Sequence, residues 1–239
     1  IKPILSDLDG VWIANVNAPE QTIISGTQEG ITTTRQRLTD LGINTRPLSV
    51  ACAFHSPLVA PAKQRLAALL NETEFALPQI AAFANTTGQT YPQAPQAIQA
   101  LLAEHLVQPV RFLDQIEAMY ADNARIFVEI GPRNILTNLT GQILGDRPHV
   151  AVALDAPHQH GLTQLQHALG HLASHGVPIR MDRLFYGRKR QLLNLSKLDE
   201  ETSPQTLPPT TWVINGSRAK PYHEPEKPLH QPLKGSLML

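Results

Sequence analysis

Ala51-Cys52-Ala53-Phe54-His55-Ser56-Pro57 is the stretch whose residue types could do chemistry in this 239-residue chain. An imidazole titrates near neutrality, so His55 could take a proton from a hydroxyl or thiol and return it to a leaving group. Cys52 is a weak partner for it. The run 43–54 reads as a strand, and positions i and i+3 of a strand face opposite ways. A lone histidine beside an apolar strand is often structural. The expected place of His55, where a strand ends and a helix begins, is also where α/β folds present catalytic groups. As a base, His55 asks for a nucleophile supplied from somewhere else.

Other constellations are weaker. Asp7-Leu8-Asp9-Gly10-Val11 matches the opening of haloacid-dehalogenase phosphatases, with Asp7 as nucleophile and Asp9 as general acid. That chemistry needs a buried apolar strand just before Asp7, and Ile1–Leu5 with Pro3 inside it does not supply one, so a solvated turn is the expectation. His167, His171 and His175 recur every four residues, a spacing that can present zinc ligands, but no acidic residue in the segment completes a site. No metal site is expected. No G-x-S-x-G elbow, P-loop or G-x-G-x-x-G occurs.

The elements that must position His55 follow from periodicity. Runs 11–19 and 21–27 are rich in β-formers around Pro19 and Glu20 and read as a strand pair. Residues 29–42 carry apolar positions at helical spacing, with Gly42 as the stop. With the strand expected at 43–54, residues 1–54 make a partial ferredoxin-like α+β unit. Helices are expected at 57–73, 96–108, 110–123, 133–144 and 161–175. A strand at 76–88 leads into a turn at Asn85–Gly88, and further strands are expected at 125–131 and 149–154. The run 125–131 is nearly all apolar, as in strands covered on both faces. Strands alternating with helices make 55–190 part of an α/β layered domain. Residues 191–239 hold seven prolines and read as a linker or tail, interrupted by an apolar strand-like piece at 210–221.

Composition narrows the class. Lys+Arg and Asp+Glu each total 20, which argues against a nucleic-acid partner. One cysteine excludes an internal disulfide framework and suits a reducing, cytoplasmic compartment. No apolar run approaches the roughly 20 residues of a membrane span. The start lacks a signal-peptide layout, so the N-x-S/T triplets at Asn71, Asn85, Asn138, Asn194 and Asn215 read as chance. Opening on Ile1 suggests a piece of a longer chain.

Five motifs in order, Asn15–Gly26, Cys52–Val59, Phe83–Tyr91, His105–Phe112 and Val128–Leu139, resemble the C-terminal half of a malonyl-type acyltransferase domain of type I polyketide synthases and related polyunsaturated-fatty-acid or glycolipid synthases. The resemblance covers about residues 1–185, and 211–221 is similar to the segment after that domain. It implies an acyltransferase moving malonyl units from coenzyme A to an acyl carrier protein, with no bound cofactor; the carrier bears phosphopantetheine. Neighbouring synthase domains are the other partners implied. His55 falls on the family's catalytic histidine, and the backbone carbonyl of His105 on the group that orients it, leaving the His105 side chain incidental. Phe54 falls on the position that favours malonyl over methylmalonyl, and Asn17 on an asparagine near the lip of the cleft. Cys52 stands where a histidine is common. The family's serine, its carboxylate-clamping arginine and its oxyanion loop lie upstream of this segment, so it is expected to be inactive alone. The alternatives are a non-catalytic docking fragment of a synthase and the phosphatase built on Asp7 and Asp9.

Overall fold

In the computed structural model, residues 2–187, 212–215 and 218–221 are described, and the chain forms two compact units, Ile1–Ile179 and Arg180–Leu239. In the first unit, β1 (Val11–Ala18) pairs antiparallel with β2 (Gln21–Gly26) across a two-residue connection at Pro19 and Glu20. Ala14 and Asn17 have no partner in the ladder and mark two irregularities, which accentuate twist and re-aim the strand. The Ala14 carbonyl accepts the Val110 N–H, and the Val16 N–H donates to the Val110 carbonyl, both at 2.8 Å. Val110 thereby bridges β1 in parallel sense, bringing the 105–111 segment to the hairpin.

Helix α2 (Gln28–Asp40) starts on Thr27, whose Oγ1 accepts the Gly30 N–H at 3.0 Å. It ends in a Schellman turn: Gly42, at φ 72°, donates to the Thr39 carbonyl, and Ile43 donates to Leu38. Its inner face is Gly30, Thr34 and Leu38, with the buried Thr34 hydroxyl satisfied by the Gly30 carbonyl. The stop at Gly42 is where the sequence places it.

The strand expected at 43–54 does not form. Among the described residues no neighbour offers it a ladder, and Leu48 and Val50 lie more than half exposed, so β-propensity has no sheet on which to act. The strand expected over 76–88 shrinks to β3 (Phe83–Ala84), paired with β4 (Gln89–Thr90) around the expected turn. Leu77 and Ile80 before it are exposed. Residues 2–5 form a short helix, α1 (Lys2–Leu5), followed by a turn, so Asp7 and Asp9 sit exposed and do not crown a strand. The phosphatase geometry is absent.

Helices α3 (Ala60–Asn71) and α4 (Pro95–Glu104) pack together. Lys63 of α3 pairs with Glu104, and the Gln99 amide donates to the Leu70 and Thr73 carbonyls, capping the end of α3. Helix α5 (Phe112–Ala121) follows the 105–111 segment. Strands β5 (Ile126–Glu129) and β6 (Val150–Ala153) are parallel, joined through α6 (Ile135–Leu144), and α7 (Gly161–Ser174) follows β6. Glu129, at the end of β5, accepts the Leu136 and Thr137 N–H groups and the Thr137 hydroxyl, so a carboxylate caps the positive end of α6. One core holds Ile116, Leu139, Ile143 and Leu144 with Ala18 of the hairpin. A second joins Val152 to Ala168 and Leu172 of α7.

Arg147 forks onto Glu117 with bonds of 2.6 and 2.7 Å, and the hydrogen bond from Arg147 holds the Glu117 carboxyl below its ordinary range. Both side chains are more than a third exposed, so solvent screens the pair. A depressed carboxyl stabilises the fold above its unfolded-state pKa and loses that contribution as pH falls through the folded-state value. The melting-temperature difference between the wild-type chain and Glu117→Gln is therefore expected at neutral pH and shrinks on acidification. A difference that stays constant through the acid range contradicts the pairing.

In the second unit, Met181–Phe185 forms a 3₁₀ segment, and β7 (Trp212–Asn215) pairs antiparallel with β8 (Arg218–Pro221). This hairpin occupies the apolar piece expected at 210–221. The rest of the expected 191–239 tail lies outside the described residues.

Candidate active site

The backbone at His55 is left-handed, with φ 57°, a conformation costing a non-glycine residue roughly 1–2 kcal/mol. Its N–H donates to the Leu106 carbonyl at 3.1 Å, and its ring Nδ1 lies 2.9 Å from the His105 carbonyl. Ser56 secures the next step. Its fully buried hydroxyl donates to Ala53 at 2.6 Å and accepts the Leu58 N–H at 3.3 Å, capping the 3₁₀ turn Pro57–Val59. Ser56 is thus a structural cap, occupied on both sides. His55 sits between an irregular segment and this turn; the strand end anticipated for it does not exist.

A carbonyl oxygen only accepts, so the proton in the Nδ1 contact belongs to His55. In the neutral ring that leaves the lone pair on Nε2. The geometry thus presents a base at Nε2 and fixes its tautomer from behind.

The 105–111 segment holds the arrangement together. His105 is the C-cap of α4. The carbonyls of His105 and Leu106 hold His55, Val110 is stitched to β1, and the Arg111 N–H donates to the Asn85 carbonyl at 2.8 Å. The Arg111 side chain pairs with Asp114 at 2.7 Å. The two imidazole rings lie 5.3 Å apart, tilted by 46°. Burial, and then the charge of His55, push the His105 ring below the ordinary histidine pKa.

Phe54 is 48% exposed beside His55, its N–H on the Cys52 carbonyl. Cys52 is exposed, and among the described residues no hydrogen bond joins its thiol to His55. Asn17 sits at the second irregularity of β1, its amide 3.5 Å from Gln21 Oε1. The structure therefore brings His55, His105 and Phe54 together and places Asn17 at the hairpin tip. Ser56, Leu106 and Val110 were missed as positioning groups; serine before proline at the start of a turn was the one available signal, for Ser56. His171 and His175 meet edge-on with centroids 4.8 Å apart on α7. Among the described residues no group of three His, Cys, Asp or Glu is placed to hold a metal.

Residues 1–177 match the family model described as an acyl transferase domain. The chain belongs to the acyl transferase domain family. Among its relatives, it is 36% identical over 142 residues to a polyunsaturated fatty acid synthase polypeptide of Thraustochytrium sp., covering 59% of this chain and 5% of that protein. To the malonyl CoA-acyl carrier protein transacylase of Bacillus subtilis it is 31% identical over 134 residues, covering 56% of this chain and 42% of that protein. The crystal structure of the acyltransferase domain from the second module of the salinomycin polyketide synthase superposes with a TM-score of 0.72 at 25% identity, covering 85% of this chain and 45% of that one. This acyltransferase segment thus spans less than half the length of each of these relatives. Its mixed α/β architecture is similar to that of acyltransferase domains.

Proposed function

We propose that this chain is the C-terminal half of a malonyl-CoA:acyl carrier protein acyltransferase domain within a cytoplasmic multidomain synthase of the polyketide or fatty-acid type. Residues 1–54 contribute part of a ferredoxin-like small subdomain, 55–190 part of a hydrolase-like large subdomain, and 191–239 a linker. The observation that carries this reading is the His55 Nδ1–carbonyl bond, which leaves Nε2 as the proton acceptor. His55 takes the proton of a serine hydroxyl as that oxygen attacks the malonyl thioester carbonyl. It returns the proton to the departing coenzyme A sulfur. The carrier's phosphopantetheine thiol then attacks the acyl-serine, with His55 removing its proton and giving it back to the serine. The 239 residues contain no G-x-S-x-G elbow, and the nucleophile comes from the remainder of the domain. Malonyl and carrier protein are supported by the name of the Bacillus relative. Among the described residues no helix is long and apolar enough to cross a membrane.

Phe54 supplies a wall against a branched acyl unit, and Asn17 lines the lip of the cleft. The testing experiment compares malonyl- and methylmalonyl-CoA as donors for the complete domain, wild type and Phe54→Ser. Malonyl transfer to the carrier is expected in the wild type, with the ratio of kcat/KM moving toward methylmalonyl by about 10-fold or more in the variant, the scale of one methyl-sized space. An unchanged ratio removes Phe54 from selectivity; absence of malonyl transfer removes the reading itself.

A further inference from the structure

The His105 side chain is unused by the mechanism above, which needs only its carbonyl, yet its ring packs beside that of His55. We propose that the His105 side chain is itself a positioning group: its ring braces the His55 imidazole so that the two rings together accept one proton. The proposal rests on His55 being the base of the transfer reaction.

Three observations converge. His55 is held at both backbone N–H and Nδ1 by consecutive carbonyls of the 105–111 segment, so its ring cannot swing away from its neighbour without losing the Nδ1 bond. The rings are 5.3 Å apart and both half-buried, a separation at which two positive charges oppose each other. The surrounding charges are engaged elsewhere: Glu104, preceding His105, with Lys63 of α3, and Arg111, further along the segment, with Asp114. Cys52 on the His55 segment is exposed. Burial first, and then the charge of His55, push the His105 ring below the ordinary histidine pKa. A neutral His105 lets His55 become imidazolium during proton transfer without a second cation beside it.

The test needs no turnover, so its failure and that of the transferase reading are separable. The ring resonances of His105 are followed against pH by NMR in the 239-residue chain, wild type and His55→Asn, asparagine being a residue that tolerates positive φ. With the His55 charge removed, the His105 midpoint is expected to rise by about half a pH unit or more toward the ordinary histidine value. An unchanged or lowered midpoint shows that burial alone sets it and overturns the shared proton. In His105→Gln, which keeps the carbonyl and removes the ring, solvent exchange of the His55 Nδ1 proton is expected to accelerate several-fold. Unchanged exchange overturns the bracing.

Discussion

Changing His55 to alanine in the complete acyltransferase domain is expected to lower kcat for malonyl transfer to the carrier protein by about 10²–10⁴-fold, the range that positioned proton transfer supplies. The KM for malonyl-CoA should change little, because on the proposed reading the imidazole acts on the proton and not on the carboxylate. The effect is specific to the ring. The backbone turn that carries it is held by the buried Ser56 hydroxyl and by the Leu106 carbonyl, neither of which depends on the imidazole. The His55→Asn variant retains the left-handed backbone and loses the same catalysis. Steady-state transfer assays decide the matter; activity within a few-fold of wild type in both variants removes His55 from the mechanism.

The second large effect is on stability. A Cβ built at Gly26 falls 2.2 Å from the Gly10 carbonyl oxygen and 2.9 Å from Val11 Cα. Those atoms are backbone, already fixed by the Val11–Gly26 pairing and by the Thr27 N–H on the same Gly10 oxygen. Neither can yield without opening the hairpin. Gly26→Ala is therefore expected to destabilise the chain by about 3 kcal/mol, the upper end of the overpacking range. Gly141 inside α6 is the control, since a Cβ there meets nothing within 4 Å. Gly141→Ala should leave stability unchanged or raise it by up to about 1 kcal/mol through helix propensity. Urea unfolding measures both; a Gly26→Ala variant within about 0.5 kcal/mol of wild type contradicts the close backbone approach.

What the sequence made legible is local. The hairpin around Pro19 and Glu20, the helix stopped by Gly42 and the two strands flanking α6 follow from periodicity and turn chemistry, and all are present. The run 43–54 misled because its β-formers lack a described ladder partner, and strand formation is decided by the neighbour rather than by the run itself. The His105 carbonyl could be singled out only through the resemblance, since its bond to His55 spans 50 residues. Leu106 and Val110 act through backbone groups, which no side-chain motif announces. The neighbouring serine was visible, but its burial, which turns a potential nucleophile into a turn cap, is a property of the folded chain alone.

The most direct measurement is the ¹⁵N chemical-shift pair of the His55 ring in the 239-residue chain above its titration. A pyrrole-type Nδ1 and a pyridine-type Nε2 are expected, the state in which the free lone pair is available to a hydroxyl. The reverse assignment, or an averaged pair showing a freely exchanging ring, contradicts it.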